Sequence, residues 1–127
     1  MDIRIYYEDT DAGGVVYYAN YLRYFERART EYFETRGIFI KDCIPKGFFF
    51  VVAHQDIDYK LPAFYADVLS IETKVSKIST ASVIFEYTVK NKSSSNVICA
   101  GNTVLACVNK DIQPVRIPEE IRGKLQP

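Results

Sequence analysis

Residues 18–37 read YANYLRYFERARTEYFETRG and form the longest helical pattern in the chain. Apolar side chains recur along this segment at the spacing of one helix face: Tyr21, Leu22, Tyr24, Phe25, Ala28, Tyr32 and Phe33. At ~100° per residue they cover about half of the helix circumference. So wide an apolar face predicts a helix that the rest of the fold largely surrounds, and Gly37 is a plausible stop.

One basic residue falls within this apolar face. On a helical wheel, Arg29 projects between Phe25 and Leu22. A guanidinium group there would be partly buried, and it would need a carboxylate or carbonyl partner to compensate for lost water. The pattern therefore predicts such a partner for Arg29.

Strand patterns lie on both sides of the helix. Upstream, an apolar run that includes Ile3, Tyr6 and Tyr7 predicts a strand ending at the acidic turn 8–11. Four strand patterns follow the helix: residues 48–59, 68–78, 81–90 and 97–109. The continuous apolar run 48–53 predicts a central strand. A short helix is expected from Pro118, because proline and acidic residues favour a first helical turn.

One long helix followed by strands, without strand–helix alternation, indicates an α+β fold in which an antiparallel sheet curls around the helix. The 127 residues match the size of one domain, and no linker or repeat divides them. Edge strands of such a sheet need protection, which edge-to-edge pairing of two copies would provide. We therefore expect one domain, residues 1–127, that forms a homodimer.

Charge and composition exclude several classes of function. Sixteen basic and sixteen acidic residues give zero net charge, which disfavours binding to nucleic acid or to an anionic membrane. No secretion signal or membrane span is evident, so the expected location is the cytoplasm. Three cysteines without CxxC spacing and a single histidine indicate buried free thiols and no metal site.

The loop before the helix is the candidate reactive segment. It reads EDTDAGGVVYYAN over residues 8–20 and combines carboxylates, a glycine turn and a helix start. Backbone amides around Tyr18 could stabilise the oxyanion of a thioester carbonyl, while Asp11 attacked the carbon or activated water. Gly14 would let the backbone approach the substrate, because glycine has no Cβ. Alternatively, the acids only cap the helix and the glycines only turn the chain.

Segments 7–31, 59–63 and 67–73 together resemble the 4-hydroxybenzoyl-CoA thioesterase family, particularly its acyl-CoA thioesterase branch associated with the Tol-Pal system. The resemblance implies the hotdog fold, a dimer or dimer of dimers, an active site at the dimer interface, and no metal or cofactor. It also implies that Asp11 is the catalytic carboxylate, as nucleophile or general base, and that Asp9 is a structural cap or loop ligand. Tyr18 would supply the oxyanion amide, with Gly14 and Tyr17 as substrate contacts.

Position 18 departs from that branch, which usually has histidine after Val-Tyr. A tyrosine cannot accept a proton near neutral pH as histidine does, but the backbone amide remains. The Tyr18 ring could line the acyl pocket or pack in an interface. The hydroxybenzoyl branch resembles this chain in having an aromatic residue there. Substrate preference, aliphatic or aryl, is therefore open.

Coenzyme A carries phosphates, so a polar rim is expected at the pocket mouth. The turn with Ser79, Thr80 and Ser82 is the candidate, although a plain hairpin accounts for it equally well. Short- to medium-chain acyl-CoA hydrolysis is the favoured function, with acyl carrier protein as a possible second carrier. The alternatives are an aryl-CoA thioesterase, and a non-catalytic module that binds acyl-CoA or acyl carrier protein. A dehydratase would need His54, which is more typical of a packed or interfacial residue.

Overall fold

The computed structural model describes residues 1–127. Its regular elements are β1 (Asp2–Arg4), α1 (Asn20–Thr35), α2 (Ile40–Cys43), β2 (Phe49–Tyr59), β3 (Val68–Ile78), β4 (Ser82–Asn91), β5 (Val97–Val108) and α3 (Glu119–Arg122). Short 3-10 turns span Tyr7–Asp9 and Ile44–Lys46. The predicted α+β class is confirmed, and so are the long helix and the four strands that follow it.

The five strands form one antiparallel sheet in the order β1-β3-β4-β5-β2. The prediction of a central strand over 48–59 is wrong, because β2 lies at the edge of the sheet and pairs only with β5. Several of its side chains are exposed, and Val52 retains 51% of its accessible surface. An apolar strand of eleven residues is thus unpaired along its outer side.

Helix α1 packs on the concave face of the sheet. Its buried side chains are Tyr21, Tyr24, Phe25, Ala28, Tyr32 and Phe33. Leu22 differs from the prediction, since 43% of its surface is exposed beside the unpaired edge. The helix ends as predicted at Gly37, which has φ +75°. The amides of Gly37 and Ile38 donate to the carbonyls of Glu34 and Phe33, and this pattern closes the last turn.

The contact between helix and sheet is closest at Phe25. Its ring stacks on Tyr87 of β4 with a centroid distance of 4.2 Å and an interplanar angle of 4°. Beneath it, a Cβ added to Gly101 of β5 would lie 2.5 Å from the Asp56 carbonyl oxygen and 2.8 Å from the Phe25 ring. Only glycine at position 101 permits this approach without a shift of the backbone.

The amino-terminal strand is shorter than predicted. Strand β1 ends at Arg4, and the Tyr6 amide leaves the ladder to donate to the Asp9 carboxylate. At the other terminus, α3 begins after Pro118 as predicted. The three cysteines are buried and free, which confirms that prediction. None of the helices combines the length and the apolar character needed to cross a lipid bilayer.

Candidate active site

Asp9 organises the loop that precedes α1. Its Oδ1 accepts a 2.9 Å hydrogen bond from the Tyr24 hydroxyl, and its Oδ2 accepts one of 2.8 Å from the Tyr6 amide. Its backbone carbonyl accepts from the Tyr17 amide and from the Asn20 side chain, both at 2.9 Å. These contacts tie the loop to the start of the helix. Asp9 is therefore a loop ligand, as the resemblance implied.

Asp11 has a different environment. Its Oδ1 accepts one hydrogen bond, 2.8 Å long, from the Gly13 amide, and its Oδ2 accepts none. The side chain is exposed at the tip of a small hairpin closed by a bridge between Thr10 and Val16. Gly14 turns this hairpin with φ +82°, a conformation that favours glycine. One oxygen of Asp11 is thus held in place while the other is free to react.

The start of α1 offers unpaired donors close to Asp11 in the chain. The amides of Tyr18 and Ala19 donate no hydrogen bond within the chain, whereas the Asn20 amide donates to the Tyr17 carbonyl. Free amides at a helix start, together with the positive end of its dipole, attract developing negative charge. They can therefore stabilise an oxyanion.

An aromatic cluster borders these amides. The Tyr18 ring lies 4.9 Å from Tyr17 and 6.3 Å from Tyr59, and Tyr59 lies 5.8 Å from Tyr21. The Tyr59 hydroxyl donates a 3.0 Å hydrogen bond to the Tyr18 carbonyl, which joins the helix start to the end of β2. Tyr18 is 61% exposed, so one side of this cluster is open.

The phenols of Tyr17, Tyr21 and Tyr59 stay protonated near neutral pH. The neighbouring Tyr18 phenol raises the pKa of Tyr17, and burial raises those of Tyr21 and Tyr59. They can therefore act only as hydrogen-bond partners or packing surfaces there. Tyr59 was not singled out from the sequence as a site residue. Its position in segment 59–63, one of the three that carry the resemblance, was the available signal.

Within one chain, the structure does not bring the turn with Ser79, Thr80 and Ser82 to this loop. Tyr59 pairs with Cys99, and Cys99 pairs with Val89 of β4, whereas Ser82 begins that strand. Seven steps along a strand span roughly 23 Å. The carboxy-terminal segment also covers the turn, because Arg122 donates to the Ser79 carbonyl and the Ile117 amide to that of Thr80. Their role as contacts for coenzyme A stays a prediction that requires a second copy.

His54 lies on β2 and contacts none of the groups described at the start of α1. It is largely exposed and pairs with Asp56 at 3.5 Å between Nε2 and Oδ2. Its neighbour across the ladder is Val104, and residues 53–54 form a bulge in β2. Arg29 is half-buried as expected, but it has no carboxylate or carbonyl partner within the chain, so that prediction is wrong.

Comparisons with known proteins assign the family. Residues 6–125 match the model of the Thioesterase-like superfamily. The acyl-CoA thioesterase YbgC of Haemophilus influenzae is 39% identical over 123 residues, which cover 95% of this chain and 89% of that protein.

Two solved structures share the fold over most of their length. A hypothetical protein of Aquifex aeolicus superposes with a TM-score of 0.93 at 29% identity, covering 99% of this chain and 98% of that one. A DHNA-CoA thioesterase of Staphylococcus aureus superposes with a TM-score of 0.87 at 30% identity, covering 91% and 78%. The hotdog fold is thereby confirmed, and this chain belongs to the Thioesterase-like superfamily.

Proposed function

We propose that this protein hydrolyses short- to medium-chain acyl-CoA thioesters to the free acid and coenzyme A, with Asp11 as the catalytic carboxylate. The observation that carries the proposal is the hydrogen bonding in the loop before α1. One carboxylate oxygen of Asp11 accepts a hydrogen bond and the other accepts none, and the amides of Tyr18 and Ala19 are unpaired. The relative from Haemophilus influenzae is named an acyl-CoA thioesterase, which supports the same chemistry.

The amides at the helix start hold the oxyanion that forms when the thioester carbonyl becomes tetrahedral. Asp11 either attacks the carbonyl carbon itself or removes a proton from the attacking water. In the first route the breaking of the carbon–sulfur bond leaves the acyl group on Asp11 as an anhydride, which water then hydrolyses; in the second, water adds directly to the thioester carbonyl before that bond breaks. In both, the thiolate leaves and takes up a proton, and one water is consumed to give the carboxylic acid. Single turnover in ¹⁸O-labelled water detects the first route when water attacks the Asp11 side of the anhydride, because Asp11 then acquires the label and the product carries an unlabelled oxygen from Asp11.

The decisive experiment measures thiol release from a panel of acyl-CoAs by wild type, Asp11→Asn and Glu8→Gln. Glu8 is an exposed acid in the same loop and makes no side-chain hydrogen bond, so it is a matched control. We expect Asp11→Asn to lose roughly a hundredfold or more in kcat, and Glu8→Gln to match wild type. Unchanged turnover in Asp11→Asn would contradict the mechanism. Binding of acyl-CoA without any hydrolysis by wild type would favour a non-catalytic binding module.

The aromatic cluster favours a second candidate substrate class. Rings of Tyr17, Tyr18 and Tyr59 surround the open side of the site and could stack on an aryl group. The neighbour from Staphylococcus aureus is named a DHNA-CoA thioesterase. A higher kcat/KM for a hydroxybenzoyl- or hydroxynaphthoyl-CoA than for every aliphatic acyl-CoA would establish this alternative.

Two copies paired through β2 would complete the site. Antiparallel pairing of these edges sets the Tyr59 end of one strand beside the Phe49 end of the other, where the turn with Ser79, Thr80 and Ser82 lies. The pairing also covers Val52, which is exposed in one chain. We therefore place the active site at the interface of a homodimer, which could pair again as a dimer of dimers. Val52→Lys should shift the mass measured by light scattering towards the monomer.

The cellular setting belongs to the same proposal. Three free thiols fit a reducing compartment, so we place the reaction in the cytoplasm. Acyl carrier protein is a second candidate carrier, and a role beside the Tol-Pal system follows only from the resemblance of the loop sequence. Comparing one acyl group on both carriers would decide the first point: equal kcat/KM would show that the carrier is not selected.

A further inference from the structure

A polar cluster lies beneath α1, inside an otherwise apolar contact between helix and sheet. Gln55 of β2, Tyr87 of β4 and Thr103 of β5 all lie on the concave face. Thr103 is fully buried, and its hydroxyl donates a 2.5 Å hydrogen bond to Oε1 of Gln55. Arg29 of the helix completes the cluster and lies beside the Tyr87 hydroxyl.

Arg29 carries a charge that nothing in the chain neutralises. It is half-buried and forms no ion pair, and its polar neighbour within the chain is the uncharged Tyr87 hydroxyl. Glu26 lines the same cavity about one helical turn before Arg29, but it forms no ion pair. A half-buried cation without an anion is costly, because it has lost water without gaining a partner. The position therefore attracts an anion.

The Tyr87 hydroxyl is the second unsatisfied group. The residue is 2% exposed, and its buried oxygen lies near Arg29 and Thr103 without forming a well-oriented hydrogen bond to either. Most buried polar atoms in folded proteins are paired, so an orphan beside an unpaired arginine indicates a missing ligand or a functional role. The guanidinium offers hydrogen-bond donors that suit a carboxylate, and the phenol lies behind it, where it can orient the guanidinium.

A cavity of about 240 Å³ opens to the outside beside two members of this cluster, Arg29 and Gln55. It is lined by Leu22, Arg23, Glu26, Arg29, Val52 and Gln55. It lies between α1 and the edge strand β2. Towards the candidate active site, the same side of β2 presents Ile57 and then Tyr59, which contacts Tyr18. The concave face of β2 thus offers a path from this cavity, past Ile57, to the aromatic cluster at the helix start.

The length of this path sets the length of the ligand. Eleven helical residues from Tyr18 to Arg29 span roughly 16 Å, and the arginine side chain points back towards the helix start by several of these. An extended chain of single bonds advances about 1.2 Å per bond. A chain of roughly ten to twelve carbons therefore reaches from the reacting carbonyl to the guanidinium.

We propose that Arg29 and Gln55 form a subsite for a carboxylate at the far end of the acyl chain, with Tyr87 holding the guanidinium in place. This inference rests on the proposed function and names a substrate class for it: CoA thioesters of medium-chain dicarboxylic acids. Charge complementarity selects the anionic chain end, and the path past Ile57 accepts the methylene groups. Arg29 and Tyr87 do not touch the reacting atoms, so they determine specificity rather than catalysis.

The test compares decanoyl-CoA with the mono-CoA thioester of decanedioic acid, which adds only the distal carboxylate. Wild type should have a kcat/KM roughly tenfold or more higher for the carboxylated substrate. Arg29→Gln should remove that preference and keep turnover of decanoyl-CoA, whereas Tyr87→Phe should reduce the preference severalfold. Arg27→Gln is the matched control, because Arg27 carries the same charge on the exposed face of α1.

A wild type that hydrolyses both substrates equally, or an Arg29→Gln variant that keeps the preference, would overturn the subsite and leave the proposed function intact. Weaker self-association of Arg29→Gln with unchanged preference would also overturn it and assign Arg29 to a contact between copies. If neither thioester is hydrolysed, the proposed function fails, and calorimetric titration with free decanedioic and decanoic acids decides the subsite separately. Tighter binding of the diacid that Arg29→Gln abolishes would support it, and equal binding would overturn it.

Discussion

The Tyr24 hydroxyl donates a 2.9 Å hydrogen bond to Oδ1 of Asp9, fifteen residues earlier in the chain. Burial and this hydrogen bond raise the pKa of Tyr24, so the phenol stays a donor at any physiological pH. Asp11, close by in the loop, makes one contact, with the Gly13 amide. The two acids of the loop thus have separate tasks, since Asp9 fixes the backbone and Asp11 keeps a free oxygen.

Removing the Tyr24 hydroxyl should therefore affect the stability of the fold more than the rate of hydrolysis. Tyr24→Phe keeps the buried ring and leaves Asp9 without its side-chain donor, which should lower the free energy of unfolding by about 1 to 2 kcal/mol. Urea denaturation measures this change. Asp11→Asn is the matched comparison and should unfold within about 0.5 kcal/mol of wild type, because its carboxylate is exposed. Equal stabilities of wild type and Tyr24→Phe would contradict the separation of tasks.

Tyr59 should act by positioning the helix start. Its hydroxyl holds the Tyr18 carbonyl at 3.0 Å, and the amide of Tyr18 is the candidate oxyanion donor. Tyr59→Phe keeps the ring that packs near Tyr21 and removes one neutral hydrogen bond, so kcat should fall by up to about tenfold. The measurement is a determination of kcat and KM separately with one acyl-CoA.

A rise in KM with unchanged kcat would instead identify Tyr59 as a simple binding contact. The free energy of unfolding provides the control for this variant. Tyr59 is half exposed, so its hydroxyl should contribute less than about 0.5 kcal/mol. A larger loss would show that the phenol supports the fold.

Local periodicity was sufficient to predict most of the elements. The span predicted for β3 matches the structure, because Val68 and Ile78 both adjoin residues that break a strand. The position of β2 in the sheet could not be predicted in this way. An apolar run such as 48–53 predicts a strand with a neighbouring strand along both edges. It does not say whether the second neighbour comes from the same chain or from another copy.

The site could be predicted only in part. Asp11 and Tyr18 lie in one continuous loop, so chain proximity places them together. The cluster of Arg29 and Tyr87 joins residues 58 positions apart, and packing of α1 on the sheet brings them together. The sequence indicated that Arg29 needs a partner, but the identity of its neighbours depends on strand register, which periodicity alone does not fix.

Gly101 should tolerate no side chain. An added Cβ would meet both the Asp56 carbonyl and the Phe25 ring at less than 3 Å, and neither can move without disturbing the stacking on Tyr87. Gly101→Ala should therefore lower the free energy of unfolding by about 1 to 3 kcal/mol. Ala100→Ser is the control, since it places a small change on the opposite face of β5 and should cost less than about 0.5 kcal/mol. Similar losses of unfolding free energy in the two variants would mean that α1 and the sheet can shift apart to accept a Cβ at position 101.

Alkaline pH should destabilise the protein through its buried thiols. Burial raises the pKa of Cys99 to about 12 from the ordinary 9.0, and it also raises those of Cys43 and Cys107. The unfolded chain loses these protons first, so the stabilisation is complete below pH 9 and declines as pH rises towards 12. Each such thiol contributes a slope of up to about 1.4 kcal/mol per pH unit. Urea denaturation of wild type and Cys99→Ala at pH 8 and at pH 10 measures the contribution of Cys99, and the variant should lose less stability over that interval. Parallel losses in the two proteins would show that Cys99 titrates in the folded state near its ordinary pKa.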